Sequence, residues 1–402
     1  MTVPFPRYRT GRVARGTITT VRAQVLPETR FLAPRSEAPI RVVLKRTFFH
    51  LVLILLPFLL MEGFFRLLPV SNPPYVLPVT SENPVAHLQP NVDYVYSAGW
   101  NFSVRAKKHS NNVGYNNLSD YQSDEITPLL MVIGDSYVEA HQVDAGMSAA
   151  EILNSRVDGT GRVYSIGLSG AALSQYLVFA EFARTTFRPN AIAFVIVAND
   201  FDESLLKYKS SPRFHHFEES GNNLVLRRVD YELSTTRKLL RNSAFVRYVM
   251  LNLSVKETLE RLSGRLRGQA QDYVGNMPRR VEAARVTESM RAIDEFLNRI
   301  PISTGLDRPS ILFVLDGVRP ALYSAEELLM AEDSYVSQMM RYFKEQAVLR
   351  GYEVLDMQPA FIRKHRLDGS RFEFETDGHW NELGHKLVAE EVQKSSVFTR
   401  TF

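Results

Sequence analysis

Leu129-Leu130-Met131-Val132-Ile133-Gly134-Asp135-Ser136-Tyr137-Val138-Glu139-Ala140 is the stretch from which the fold can be read. Five consecutive apolar residues followed at once by Gly-Asp-Ser have the pattern of a strand buried on both faces that ends in a tight turn, as parallel strands under helices do. Ser136 then stands where a strand stops and a helix begins, at the carboxyl edge where open α/β sheets hold their ligands. Asp135 and Ser136 also suit a helix cap, and capping the first free amides is compatible with chemistry at the hydroxyl.

The same signature recurs downstream. Residues 162–166 run into Gly167-Leu168-Ser169-Gly170, residues 191–198 into Asn199-Asp200, residues 310–315 into Asp316-Gly317, and residues 352–355 into Asp356. Helical patterns at 147–157, 171–187 and 325–349 fall between these strands. Such alternation predicts an α/β fold with a mostly parallel sheet, helices on both faces, and every strand delivering small or polar residues to one edge.

An insertion at about 203–305 separates the third strand from the fourth. Its Ser220-Gly221-Asn222-Asn223 reads as a hairpin turn, and helical stretches at 236–262 and 279–299 follow. A helical subdomain covering the carboxyl edge is expected from it. His215 and His216 are neighbours in a strand and so point to opposite faces, and no metal site is predicted there.

Outward in the other direction, residues 1–46 form a basic tail with ten Lys or Arg against Glu28 and Glu37. With the whole chain at +4 and the tail at +8, the remainder carries about −4. Those cations are spread without periodicity or interleaved aromatics through a Pro- and Thr-containing segment, so no nucleic-acid partner is expected. Residues 47–69 are apolar, and as a helix at ~1.5 Å per residue they span roughly 30 Å, the thickness of a hydrocarbon core. Pro57 is tolerated in such a helix, and Glu62 and Arg66 form an i,i+4 pair within snorkelling reach of an interface. No small-x-small cleavage pattern follows Leu68, which predicts an uncleaved transmembrane anchor. The positive-inside rule puts the tail in the cytoplasm and the rest outside, in a single pass through the inner (cytoplasmic) membrane with a periplasmic or otherwise extracytoplasmic domain.

Residues 70–127 are expected as a stalk and lead-in. Pro69, Pro73, Pro74, Pro78, Pro84 and Pro90 make its first part extended, alternation at 92–96 and 102–104 predicts a hairpin, and Asn111–Asn117 is a turn beside the site. The chain has no cysteine, which excludes disulfides, thiolate metal ligands and a cysteine nucleophile. Covalent chemistry would use oxygen or nitrogen.

Thr376-Asp377-Gly378-His379-Trp380 lies after the fifth strand and before a helical stretch at 382–393, on the same edge as Ser136. A serine needs a base to take its proton, and histidine has the right pKa. An acid two residues away in an extended loop projects to the same side and can fix the imidazole tautomer. A helix cap is the alternative role for Asp377.

With these motifs in hand, the domain at 128–402 resembles, over about residues 128–395 and excluding the insertion, the SGNH (GDSL-type) hydrolases, as a membrane-anchored bacterial member. The resemblance implies a three-layer flavodoxin-like fold with a mostly parallel sheet, a helical insertion and one N-terminal transmembrane helix. It assigns Ser136 as nucleophile, Asp377 and His379 as the rest of the triad, Gly170 and Asn199 as oxyanion donors, and no cofactor. Three features depart from the family pattern. Val197 stands where glycine is usual, Asp377-x-His379 is one residue shorter than the common spacing, and Tyr137 is bulky. The Asp-x-His-Trp form is similar to that of polysaccharide O-acetyltransferases, where it precedes the serine instead of following it. The implied function is a serine esterase acting on an O-acyl group of an extracytoplasmic glycan, as part of envelope polysaccharide machinery. An O-acyltransferase using the same acyl-enzyme is the alternative, and a non-catalytic membrane-tethered binding or assembly protein is the contrasting class.

Overall fold

Period-two sorting of apolar side chains builds the centre of the molecule. The computed structural model describes residues 40–157, 159–253, 273–274, 277–319 and 321–402; the basic tail to residue 39 and the expected helical stretch beyond residue 253 lie outside them. In chain order the strands are β1 (Val92–Ala98), β2 (Val104–Ser110), β3 (Leu129–Gly134), β4 (Arg162–Gly167), β5 (Ala191–Ile196), β6 (His215–Ser220), β7 (Asn223–Arg228), β8 (Tyr273–Val274), β9 (Met277–Pro278), β10 (Ile311–Leu315) and β11 (Glu353–Asp356). Five of them form one sheet in the order β11-β10-β5-β3-β4, every neighbouring pair parallel. Counted along the chain this is the flavodoxin-like order 2-1-3-4-5, and β3 is its switch point, with β4 on one side and β5 on the other.

Alternate residues of each central strand face opposite layers. Met131, Ile133, Phe194, Ile196, Phe313 and Leu315 pack with the helices Leu173–Thr186, Ala283–Thr304 and Tyr335–Leu349. Leu130, Val132, Ala193, Val195, Leu312 and Val314 pack with Ala149–Arg156, Gln358–Asp368 and Glu382–Gln393. Phe194, Phe296, Phe313 and Phe343 are fully buried and meet ring to ring at centroid distances of 5.1–6.2 Å. Each such ring stabilises the fold by about 1.5–3 kcal/mol through burial alone. The local signals agree with this packing: Ser148 caps its helix at the Glu151 amide in a Ser-x-x-Glu box, and Asn381 caps Glu382–Gln393 at the Gly384 amide. Asp377 is therefore not that helix's cap.

Two expectations need correction. The stretch at 279–299 is not part of a cap over the carboxyl edge. Helix Ala283–Thr304 buries Ala292, Ile293, Phe296, Leu297 and Ile300 in the core, so it is the crossover layer between β5 and β10. Among the described residues, the extra material is the β6–β7 hairpin, helices Thr235–Arg241 and Ala244–Arg247, the turn Tyr248–Asn252, and β8–β9. Likewise residues 70–127 are no free stalk. Val79, Ala86, Leu88, Tyr115 and Tyr121 belong to the same apolar core as the sheet, and Val79 bridges to Tyr231. The alternation at 92–104 forms the antiparallel β1–β2 ribbon.

The chain divides at Pro57 into two units. Within the first, residues 42–56 belong to a helix whose apolar side chains, among them Leu44, Phe48, Phe49 and Ile54, are exposed. That helix, Ile40–Arg66, contains a segment Val42–Arg66 that is long and apolar enough to cross a membrane. In the second unit its last turns are tied into the domain. The Glu62 carboxylate accepts from Ser243 Oγ at 2.6 Å and from the Ala244 and Phe245 amides at 3.0 and 3.1 Å, and Phe65 stacks on Tyr248. Glu62 is thus a cap for helix Ala244–Arg247 and not a headgroup-seeking side chain.

Candidate active site

β3 ends at Gly134, and the chain turns at once into a one-turn helix, Ser136–Glu139. Asp135 caps that turn by accepting from the Tyr137 amide at 3.0 Å, and Ala140 closes it in a left-handed conformation at φ 49°. Ser136 is therefore the first helical residue, at the carboxyl end of the switch-point strand. Gly167, at the end of β4, is required by contact: a Cβ there would lie 2.6 Å from the Glu139 amide nitrogen.

Ser136, His379 and Asp377 come together in one hydrogen-bonded line. Ser136 Oγ lies 2.7 Å from His379 Nε2 and 3.2 Å from Asp135 Oδ2. On the other side of the ring, His379 Nδ1 bonds to Asp377 Oδ1, which also accepts from the His379 amide at 2.9 Å. Asp377 Oδ2 accepts from Gln142 Nε2 at 3.2 Å. Burial by itself would lower the imidazole pKa, but the bond and charge of Asp377 outweigh it and leave His379 above its ordinary value. For Asp377 burial works upward, and the bonds and charge of His379 bring the carboxylate below its usual range. Burial pushes Asp135 up to about 6, against the opposing pull of the Tyr137 amide and His379.

The loop that carries His379 is fixed by a buried cation. Arg319 donates to Asp316 at 3.2 and 2.6 Å, to the Gly378 carbonyl at 3.1 Å and to Tyr137 Oη at 3.3 Å. Tyr137 Oη donates to the same Gly378 carbonyl at 3.0 Å, and Trp380 Nε1 donates to Asp316 at 2.9 Å. One guanidinium thereby joins the loops after β3, β10 and β11, while the Tyr137 ring packs on His379 at 4.8 Å and on Trp380 at 5.1 Å. From the sequence, Asp316 reads only as a polar strand end and Tyr137 only as bulk. The signal for this network is Asp316-x-x-Arg319 at a strand's carboxyl end, since a buried charge needs a partner.

Glu139 ties the opposite side of the site together. Buried as it is, it accepts from the Ser169 amide at 2.6 Å and from the Ser169 hydroxyl, and it pairs with His141 Nε2 at 3.0 Å. Burial would raise this carboxyl, yet His141 and Ser169 hold it below its usual value. His141 in turn stacks on Tyr96 and meets Tyr94 Oη at 2.9 Å, and Asn116 of the asparagine-rich turn donates to the Glu139 carbonyl at 3.0 Å. The serine helix and the Gly167–Gly170 turn are locked together, with the β1–β2 ribbon behind them.

Gly170 and Asn199 follow β4 and β5, the two strands that flank β3. Gly170 has φ +87°, a conformation that favours glycine, and a Cβ there would come within 3.5 Å of Phe214. Asn199 Nδ2 donates to Glu203 at 3.1 Å, and Glu203 also holds Lys209. Asp200 instead braces the strand end from within. It is fully buried, accepts from the Val197 amide at 2.8 Å and Tyr176 Oη at 2.7 Å, and burial first of all pushes its carboxyl well above the usual range. His215 and His216 bond to separate partners, Gln175 and the Glu203 carbonyl.

No family model matches the chain, and no curated protein matches it. Similar solved structures include a member of the lipolytic G-D-S-L family from Veillonella parvula, at 12% identity and TM-score 0.34, covering 68% of this chain and 100% of that one. The lipase/acylhydrolase from Enterococcus faecalis is similar at 9% identity and TM-score 0.38, covering 68% and 97%. The acetyl xylan esterase AlAXEase is similar at 10% identity and TM-score 0.36, covering 66% and 97%.

Proposed function

We propose that the chain is an SGNH-type serine hydrolase that cleaves an ester through an acyl-enzyme on Ser136. The observation that carries this reading is the 2.7 Å approach of His379 Nε2 to Ser136 Oγ while the opposite ring nitrogen is held by Asp377. Neutral His379 takes the serine proton as Oγ attacks the ester carbonyl. The tetrahedral oxyanion is met by the Ser136 and Gly170 amides and by the Asn199 carboxamide, each donor supplying about 3 kcal/mol of transition-state stabilisation. Collapse expels the alcohol, which receives its proton from His379, and water then attacks the acyl group with His379 again as base.

The natural substrate in this reading is an O-acyl group on a glycan outside the cytoplasmic membrane. Its support is the apolar helix, preceded by a tail with ten cations, which together favour a cytoplasmic N-terminus. An alkaline phosphatase fused after Phe402 is expected to be active in a host with a periplasm; a stable but inactive fusion reverses the orientation. The catalytic reading is tested with a fluorophosphonate probe on the full chain. Covalent labelling at Ser136, blocked by prior denaturation, is expected. A folded protein that stays unlabelled favours the binding or assembly role.

A further inference from the structure

A cavity of about 380 Å³, whose lining contains none of the three triad residues, lies between the lead-in segment, the Gly167–Gly170 turn and the inserted helices. Its walls are two chemistries in one space. Leu88, Leu168, Leu233, Leu240, Val246 and Met250 make it largely apolar, and four guanidinium groups, Arg213, Arg237, Arg241 and Arg247, line it as well. Glu139 reaches the same wall, but its carboxylate is already engaged by Ser169 and His141. Among the described residues no carboxylate lies within ion-pair distance of any of the four arginines.

The hydrogen bonds of these arginines end on backbone carbonyls. Arg213 donates to Ser169 O at 3.1 Å, Arg241 to Pro73 O at 2.7 Å, and Arg247 to Ser71 O at 3.1 Å and Arg241 O at 2.7 Å. Arg213 Nε is buried with no hydrogen-bond partner. Burial disfavours the charge on Arg213, Arg241 and Arg247, and the carboxylates of Glu139 and Glu62 offset part of that at Arg213 and Arg247. Partly desolvated cations that make no close ion pair among the described residues favour an anion that completes them, and guanidinium forks suit the oxygens of carboxylate or phosphate.

We propose that this cavity binds an anionic amphiphile, its carboxylate or phosphate headgroup held by the arginines and its chain lying against the leucine-rich wall. Volume agrees, since small-molecule sites begin at about 300 Å³. The wall formed by residues 240–251 is the segment that Glu62 and Phe65 clamp to the last turns of the apolar helix. Neither the cavity nor its charge depends on Ser136 being a nucleophile.

The test is calorimetric titration of the full chain in a non-ionic detergent. Decanoate represents a free fatty anion and dihexanoyl-phosphatidylglycerol an anionic lipid, with decanol and inorganic phosphate as controls for the chain alone and the charge alone. At least one of the two anionic amphiphiles is expected to bind about tenfold or more tighter than either control, and the tighter of them identifies the source. Arg213→Gln is expected to weaken that binding about tenfold by removing one charge-assisted contact. The double variant Arg237→Gln/Leu240→Ser changes two exposed rim residues, so it keeps the fold; it is expected to weaken binding while fluorophosphonate labelling of Ser136 persists. Equal affinity for decanol and the anions, binding of inorganic phosphate alone, or wild-type affinity in the folded rim variant overturns the proposal. Absence of labelling with intact amphiphile binding would instead count against the serine-hydrolase reading alone.

Discussion

Ser136→Ala is expected to lower the turnover of p-nitrophenyl acetate by the full chain by about 10⁶-fold in kcat, the scale on which removal of a serine nucleophile acts when the triad works as a unit. The loss should be chemical and not structural. The cap that holds the serine turn is made by Asp135 Oδ1 on the Tyr137 amide, and it does not involve the Ser136 hydroxyl. What the substitution removes is the 2.7 Å contact with His379 and the 3.2 Å contact with Asp135, both at a half-buried site, so the melting temperature is expected to stay nearly unchanged. Steady-state release of p-nitrophenol beside a thermal melt checks both halves. Activity in the variant within about tenfold of wild type would remove Ser136 as the nucleophile. Running the wild-type reaction with chitooligosaccharide present separates the two acyl acceptors: unchanged acetate release means water, and acceptor-dependent loss of free acetate means transfer to sugar.

The parts of the molecule that were legible in the sequence are those whose local pattern has one physical outcome. Runs such as Leu129–Ile133 and Ala191–Ile196 suit only strands covered on both faces, and each stops at residues that belong on a sheet edge. His379 and Asp377 were legible because two residues of an extended loop share a side. Elsewhere one pattern has several outcomes. The apolar stripe of Ala283–Thr304 has the same period whether the helix covers a sheet or caps a site, and the hundred-odd residues before β10 hide its place in the layers. Prolines at 73, 74, 78 and 84 specify an extended chain, but not that Val79, Ala86 and Leu88 reach the core. Glu62 reads as a charge near a membrane interface until Ser243, Ala244 and Phe245 are placed beside it. Arg319 and Glu139 were missed for a related reason: each acts across loops from different strands, so its partners are 59 and 30 residues away in sequence for the Gly378 and Ser169 contacts.

Asp377→Asn provides the second large effect, and it also reports on how the acid acts. With aspartate, His379 Nδ1 carries the proton toward Asp377 Oδ1, which leaves Nε2 free to accept from Ser136. An asparagine amide turned toward Nδ1 offers a donor, favours the tautomer with its proton on Nε2, and should cost about 10⁴-fold in kcat. The pH profile distinguishes this from mere disorder of the loop. His379 must be neutral to act as base, so the wild-type rate falls as pH drops through the folded pKa, which Asp377 holds above the ordinary histidine value of 6.5. In the variant the bond and charge of Asp377 that raise that pKa are gone, while the burial that lowers it and the smaller upward pull of Asp135 remain. The acid limb of the residual activity is therefore expected to move to lower pH. A rate–pH series on the folded variant measures it, with Tyr137 and Arg319 still holding the Gly378 carbonyl in place. An acid limb that keeps its wild-type midpoint would mean that Asp377 does not set the protonation of the base, and the Asp135 carboxylate on the other side of Ser136 would become the group to test.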